Sequence, residues 1–258
     1  MPPQMKTHPL PLVLLGLLAL PAAAGAQDHD CRYSVRHRGS LDAAGAAKVE
    51  ILAGAGGLTV KPAVGGALIA EGKACASSQE LLDQVQLRVQ RDGEVLRVYA
   101  QLPGEMQGVG LFYASLDLVI SVPGDLAVDI TDSSGEMTVD RVRLERIRDT
   151  SGDILARNVR GDFEMEDSSG NVRIEEAQGT VRIGDSSGDI VVQGATGVHV
   201  VVDGSGDIEI ERISGDVRIE RDSSGDINIA GVGGNVEVLA DSSGKLRVSD
   251  TRGTVKVP

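Results

Sequence analysis

The second half of the sequence carries a row of aspartates, each placed three residues before a glycine. The members of this aspartate row are Asp132, Asp149, Asp167, Asp185, Asp203, Asp222 and Asp241. Their carboxylates can accept backbone hydrogen bonds or ligate a hard cation. If the repeats stack like strands about 4.8 Å apart, neighbouring carboxylates repel each other by about 0.9 kcal/mol even in water, so another interaction must compensate.

Two interpretations of the aspartate row supply that compensation. Each aspartate can accept hydrogen bonds from the serine and glycine N–H groups of its own turn, as in an Asx-turn. Alternatively, calcium can lie between the turns, because oxygen-only ligands suit a hard cation. The double glycines of the calcium-binding β-roll repeat are missing here. We therefore favour Asx-turns and assign no metal site.

The segment Gly184–Gly188 reads GDSSG and matches the G-x-S-x-G pattern around a hydrolase nucleophile. That pattern requires a strand-to-helix turn and a histidine base. The serine pair here instead recurs in nearly every repeat. We therefore interpret these serines as structural residues and predict no nucleophile among them.

His199 lies within the repeats, at the position that Val181 and Val217 occupy in the neighbouring copies. It is either a buried histidine bonded to a backbone group or the sign of a local shift in strand register. The shift would turn three valines inward, namely Val198, Val200 and Val202. Both interpretations give His199 a structural role.

A polysaccharide lyase or hydrolase built on a β-helix is the main enzymatic alternative. Such an enzyme needs a carboxylate pair or a metal set within one groove, usually with aromatic platforms for the sugar. The acids here are spread evenly along the repeats, whose only aromatic residue is Phe163. The sequence therefore predicts a protein that is not an enzyme, with no catalytic residues and no cofactor.

A tandem repeat marked by Asp-Ser-Ser-Gly or a near copy positions all of these residues. The marker glycines are 17 to 19 residues apart and are Gly135, Gly152, Gly170, Gly188, Gly206, Gly225 and Gly244. Except in the first repeat, where Leu144 stands instead, a second glycine follows each marker after nine residues. Apolar residues recur at the second and fourth positions after the markers, which is the alternation of a half-buried strand.

Each repeat therefore predicts one coil of a solenoid, because a single short strand buries its apolar side only when coils stack on one another. We expect an all-β fold: a parallel β-helix-like solenoid of 17–19-residue coils with two short strands each. An irregular β region and cap over residues 27–130 precedes the repeats at 131–258. Bulges at turns are expected to absorb the differences in coil length.

The N-terminus predicts export from the cytoplasm. Lys6 precedes an apolar run over residues 10–20 and small residues that end at Ala26, as in a secretory signal peptide over residues 1–26. The run is too short to span a bilayer, and no later stretch is apolar enough. We expect a protein of the periplasm, the medium or the cell surface, where Cys31 and Cys75 can form a disulfide. Two free thiols are the alternative.

The formal net charge of −13 argues against nucleic acid as a partner, because phosphate binding needs a basic face. Only 2% of the residues are aromatic, and this composition fits a narrow core filled by Val, Ile and Ala.

The strand Leu116–Pro123 running into Val128–Val139, together with the leader and the serial Ser-Ser-Gly-Asp-Ile repeats, resembles the bacterial putative-adhesin family of repeat-rich β-solenoid envelope proteins. The resemblance covers roughly residues 49–258. It implies an all-β, extracytoplasmic protein without enzymatic activity, and it supplies no catalytic residues.

These observations predict an adhesion-type binding module or envelope scaffold whose partner is an envelope or extracellular polymer or protein. Outward charged residues would form its surface: Arg173, Glu175, Arg182, Glu209, Arg218 and Glu220. A polysaccharide-processing enzyme and an accessory factor of an envelope stress or signalling system are the alternatives.

Overall fold

The computed structural model describes residues 31–104 and 112–258. The predicted signal peptide, residues 1–26, lies outside the described residues. Within the two described ranges, no helix has the length and apolar character needed to cross a membrane.

The region upstream of the repeats contains strands and one short helix. They are β1 (Tyr33–Asp42), β2 (Lys48–Leu52), β3 (Leu58–Pro62), β4 (Ala67–Ala76), α1 (Gln79–Leu82), β5 (Gln86–Asp92), β6 (Val95–Gln101) and β7 (Ala114–Val122). The two strands that lead from this region into the repeats are β8 (Ala127–Thr131) and β9 (Met137–Asp140).

The repeats form short strands, with each marker glycine just before a strand. They are β10 (Arg143–Arg148), β11 (Ile154–Arg157), β12 (Phe163–Asp167), β13 (Val172–Glu175), β14 (Thr180–Asp185), β15 (Ile190–Ala195), β16 (Gly197–Val202), β17 (Ile208–Ile213), β18 (Val217–Ile219), β19 (Ile227–Val232), β20 (Val236–Val238), β21 (Leu246–Thr251) and β22 (Val255–Lys256).

Two sheets contain all of these strands. Sheet A has the order β1-β4-β7-β3-β9-β11-β13-β15-β17-β19-β21, and sheet B has the order β5-β6-β2-β8-β10-β12-β14-β16-β18-β20-β22. From β8 onward, consecutive strands alternate between the sheets, and each pairs in parallel with the strand two places further along. Each repeat is therefore one coil with two strands, which confirms the predicted β-solenoid.

The N-terminal strands do not stack in chain order. β2 pairs in parallel with both β6 and β8, and β3 pairs in parallel with both β7 and β9. The coil formed by β2 and β3 therefore lies between a coil formed by β6 and β7 and the coil that begins at β8. Beyond β6 and β7, the strands β1, β4 and β5 pair antiparallel and make the region irregular. Neither sheet is interrupted at the predicted boundary between residues 130 and 131, and the domain division itself stays a prediction.

The core lies between the sheets and is filled by the alternating apolar positions. In the coil that begins at Gly188, the second and fourth residues, Ile190 and Val192, are both 0% exposed, and Val191 between them faces outward. Equivalent residues of the neighbouring coils stack directly on them, as in the pairing of Val172 with Ile190. The predicted alternation therefore identifies the residues that hold the two sheets together.

Sheet B contains two register shifts. One lies between Leu144 and Arg146, opposite β8, and the other lies between Val200 and Val202, opposite β14. The expectation that bulges at turns absorb the length differences is wrong at these two positions, because both shifts occur inside paired strands. A shift within a strand changes which side chains face outward.

Candidate functional site

The aspartate row lies inside the solenoid, at the corner where the strands of sheet B end. β12 ends at Asp167 and β14 ends at Asp185, and both side chains continue the inward alternation of their strands. From Asp132 to Asp222, every member is at most 6% exposed. The row is therefore a buried column of carboxyl groups and does not belong to the outer surface.

Four members accept hydrogen bonds from backbone N–H groups of their own turns. The groups that donate to an Oδ1 atom, over 2.7 to 3.2 Å, are Ser133 to Asp132, Thr150 to Asp149, Ser168 to Asp167 and Ser187 to Asp185. Only the bond from Ser187 to Asp185 spans the two residues of an Asx-turn, because the other three donors directly follow their aspartates. Each bond satisfies one oxygen of its carboxyl group.

The remaining carboxyl oxygens of the row are buried without a hydrogen-bond partner. This holds for one oxygen each of Asp132, Asp149, Asp167, Asp185 and Asp241, and for both oxygens of Asp203 and Asp222. Burial raises the pKa of Asp203 from 3.8 to about 8, with a further contribution from neighbouring Asp222. Burial likewise raises the pKa of Asp132 to about 7 and that of Asp167 to about 6. From Asp132 to Asp222, burial therefore raises the pKa of every member and favours the neutral carboxyl group.

The second serine of the marker has a structural partner. Ser187 Oγ donates to the carbonyl oxygen of Ser168 in the previous coil over 3.2 Å, and Ser169 Oγ donates in the same way to Thr150 over 3.2 Å. The hydroxyl groups therefore tie successive turns together. The observed partner of the Ser187 hydroxyl is a backbone carbonyl oxygen, as the structural interpretation of GDSSG expects.

We expect Ser187→Ala to lower the free energy of unfolding by about 1 kcal/mol, because it removes one hydrogen bond between coils. Ser186→Ala is the matched control: Ser186 is exposed, so its replacement should cost less than about 0.5 kcal/mol. Urea unfolding followed by circular dichroism measures both. Equal losses in the two variants would contradict the assigned role of Ser187.

A second polar row links the coils on the outside of the turns, directly after the marker glycines. Here a side-chain oxygen accepts the backbone N–H of the equivalent residue in the next coil, as from Asp207 to Asp189 and from Asp226 to Asp207, over 2.9 and 2.8 Å. The same bond runs from Asn171 to Asp153 over 2.9 Å. These exposed carboxylates therefore stabilise the stack and remain in contact with solvent.

His199 lies on the outer face of sheet B, stacked between Arg182 and Arg218. Its Nε2 is 2.7 Å from Glu220 Oε1, and its Nδ1 is 3.1 Å from an Arg182 nitrogen. The alternative of a register shift is therefore correct for Val198 and Val200, which are 2% and 0% exposed. It is wrong for Val202, which is 36% exposed because the bulge turns it outward.

One register position of sheet B carries a charged or ionisable residue in every coil. This charge ladder consists, in spatial order, of Arg97, Glu50, Asp129, Arg146, Glu164, Arg182, His199, Arg218, Glu237 and Lys256. Neighbours form ion pairs, including Arg97 with Glu50 at 2.7 Å and Arg146 with Glu164 at 3.3 Å. The ladder therefore presents a continuous row of paired charges along the face.

A cleft of about 380 Å³ opens beside the charge ladder. Gly184 leaves a gap in the outward row that continues from Glu166, and the bulge places Val202 next to that gap, 3.7 Å from where a Cβ on Gly184 would lie. Glu164 and Arg182 border the cleft. Its lining thus combines the partly exposed Val202 with the charged side chains of Glu164, Glu166 and Arg182, a mixture that can contact a polar ligand.

The sequence analysis did not predict this cleft, although two irregularities in the repeats indicate it. Gly184 breaks a row in which the two preceding coils have Arg148 and Glu166, and one extra residue separates Val200 from its continuation at Val202. Of the outward residues that were predicted, Arg182 and Arg218 belong to the charge ladder. Arg173, Glu175 and Glu209 lie on sheet A instead.

No protein-family model matches the chain, and no curated protein matches it. Among solved structures, a putative lipid binding protein from Parabacteroides distasonis matches 85% of this chain and 96% of its own, with 16% identity and a TM-score of 0.53. A putative cell adhesion protein from Clostridium sporogenes matches 87% and 99%, with 12% identity and a TM-score of 0.41. A putative adhesin from Parabacteroides distasonis matches 88% and 97%, with 16% identity and a TM-score of 0.36. The resemblance predicted from the repeats is thereby confirmed at the level of fold, which this chain shares with the first of these bacterial proteins.

Proposed function

We propose that the protein is an extracytoplasmic binding module without enzymatic activity, and that the outer face of sheet B contacts an envelope or extracellular polymer. The cleft between Arg182 and Val202 carries this proposal, because it is a recess lined by both apolar and charged groups, with Arg182 3.9 Å from Glu164 at its border.

The bond between Cys31 and Cys75 supports the proposed location, since disulfides persist in oxidising compartments. The positions of the polar groups support the proposed non-enzymatic role. In the described ranges, second serines of the markers such as Ser187 bond to backbone, and the acids are distributed over the coils.

We expect Arg182→Ala to weaken polymer binding about tenfold, because one charged contact in a cleft contributes about 1.4 kcal/mol. Arg173→Ala is the matched control, since Arg173 is an exposed arginine nine residues earlier on the opposite sheet. The protein and both variants are immobilised and exposed to purified envelope polysaccharides, and the bound amount is measured at low and high salt. Equal binding by the two variants would contradict the site, and an absence of binding to every polymer would contradict the function.

Two further probes distinguish the alternatives. Lipid vesicles are included because one of the two Parabacteroides distasonis proteins, the one with the TM-score of 0.53, is described as a putative lipid binding protein. Release of new reducing ends from the same polysaccharides is measured in parallel. Vesicle binding without polymer binding would replace the polymer with a lipid surface, and polymer cleavage would make the protein an enzyme.

A further inference from the structure

The C-terminal half of the aspartate row contains two neighbouring carboxyl groups that are fully enclosed. Asp203 and Asp222 are each 0% exposed, and none of their four carboxyl oxygens has a hydrogen-bond partner among the described residues. Backbone bridges pair Asp203 with Asp222 and Asp222 with Asp241, so these residues stack directly in successive coils. Stacked strands are about 4.8 Å apart, which brings neighbouring carboxyl groups within reach of each other.

The groups that face this pair do not neutralise it. The charged neighbours of Asp203 are Asp222 and Asp185, and those of Asp222 are Asp203 and Asp241. The polar groups nearby are backbone N–H groups of the same turns, from Gly204, Ser223 and Ser224. Arg221 precedes Asp222 but is exposed, and His199 bonds to Glu220 on the outer face.

A column of ionised carboxylates cannot occupy this space without counter-charge, because burial and mutual repulsion both disfavour the ionised form. A metal ion would supply counter-charge. The described ranges contain no group of three or more acidic, histidine or cysteine side chains arranged to hold one. A proton on every second carboxyl removes the repulsion and also supplies a donor for an unpartnered oxygen.

We propose that neighbouring aspartates of the row share protons, each protonated carboxyl group donating its O–H to a carboxylate oxygen in the next coil. The interior of the solenoid then holds a row of proton-binding groups, and removal of these protons weakens the stack. Deprotonation breaks only the O–H bond of a carboxyl group, and the released proton passes to solvent. This inference is independent of the proposed binding function.

The raised pKa values along the row support this arrangement. They also determine whether stability rises or falls with pH. Burial raises the pKa of Asp203 from 3.8 to about 8 and that of Asp167 to about 6, and it also raises the pKa of Asp222. A group whose folded pKa is raised stabilises the fold below its unfolded pKa and loses that contribution as pH rises through the folded pKa. The solenoid is therefore most stable in acid within this window and loses stability between about pH 4 and about pH 8.

Infrared spectroscopy of the full chain in metal-free buffer at about pH 7 tests the protonation directly, because exposed carboxyl groups are ionised there. We expect the carbonyl stretching band of protonated carboxyl groups in the wild-type protein and a weaker band in Asp203→Asn. Asp207→Asn is the matched control, since Asp207 lies in the same coil but is exposed. It should leave the band unchanged. A wild-type spectrum without the band would overturn the proposal, and a band that appears only after chelator treatment would assign the row to a cation instead.

Unfolding by urea at several pH values provides the second measurement. We expect the midpoint of the wild-type protein to fall as pH rises from about 5 to about 8, and the fall to be shallower in Asp203→Asn, whose amide stays neutral. Asp207→Asn should keep the wild-type slope. A midpoint that is constant or rises over this window would overturn the proposal, even if Asp203→Asn fails to fold.

Discussion

Gly188→Ala is expected to destabilise the protein by more than about 3 kcal/mol, since strained backbone and steric overlap act together at this position. Gly188 has a φ of +132°, which L-residues rarely adopt. A Cβ atom there would overlap the carbonyl oxygen of Gly170 in the previous coil. The backbone of both turns is fixed by stacking, because the Gly170 N–H donates to Ser187 over 3.1 Å and the Gly188 N–H donates to Ser205 over 2.8 Å. No side-chain movement relieves the overlap.

The control for this prediction is Gly184→Ala in the same coil. Gly184 does not have a positive φ, and the nearest atom to an added Cβ would be Val202 Cγ1 at an ordinary contact distance of 3.7 Å. We expect its replacement to change the free energy of unfolding by less than about 0.5 kcal/mol. Chemical unfolding followed by circular dichroism compares the variants. A Gly188 variant as stable as the Gly184 variant would show that the marker glycines are not required by the close packing of turns.

The requirement for glycine at the markers explains why the repeats could be recognised from sequence. The turn places backbone against backbone in every coil, so the same residue type returns at Gly170, Gly188 and Gly206. The strand that follows each turn buries alternate residues, and this gives the regular positions of Ile190 and Val192. The regular spacing of glycines and apolar residues reflects the conformation of one turn and one strand. This conformation is repeated in each coil of a solenoid.

The stacking order at the N-terminal end could not be predicted by the same reasoning. β2 and β3 have the alternation of a coil, but their sequence does not indicate which strands are their neighbours. In the structure they lie between β6 and β7 on one side and β8 and β9 on the other. Which strands become neighbours depends on contacts between segments far apart in the chain. Sequence patterning determines which face of a strand is buried, and it leaves the partner strand open.

At the candidate site, too, local features were predictable from the sequence and contacts between coils were not. The hydrogen bonds of Asp132 and Asp167 in their own turns were predictable, because aspartate side chains readily accept from backbone N–H groups that follow them closely in sequence. The unpartnered second oxygen was not, since it depends on the absence of a donor across the solenoid corner. The outward position of Val202 likewise depends on the bulge opposite Gly184, which arises from pairing with a different coil.

Removing the bond between Cys31 and Cys75 is expected to lower the free energy of unfolding by about 4 kcal/mol, because the bond closes a loop with a sequence separation of 44 residues. Cys75 lies in β4, which pairs antiparallel with β1 from Tyr33 to Asp42. β1 is at the edge of sheet A and has no fully buried residue, so its own packing contributes little. The disulfide therefore adds a covalent attachment to the antiparallel pairing that holds this edge strand.

The double variant Cys31→Ala/Cys75→Ala measures this contribution by chemical unfolding, with hydrogen exchange to locate the change. We expect amides of β1 to lose protection first, while amides of β15 and β17 keep theirs, because interactions in a solenoid extend mainly to neighbouring coils. The wild-type protein under reducing conditions should behave like the double variant. Unchanged protection of β1 in the double variant would mean that strand pairing alone holds the edge, and the loss of about 4 kcal/mol would then not occur.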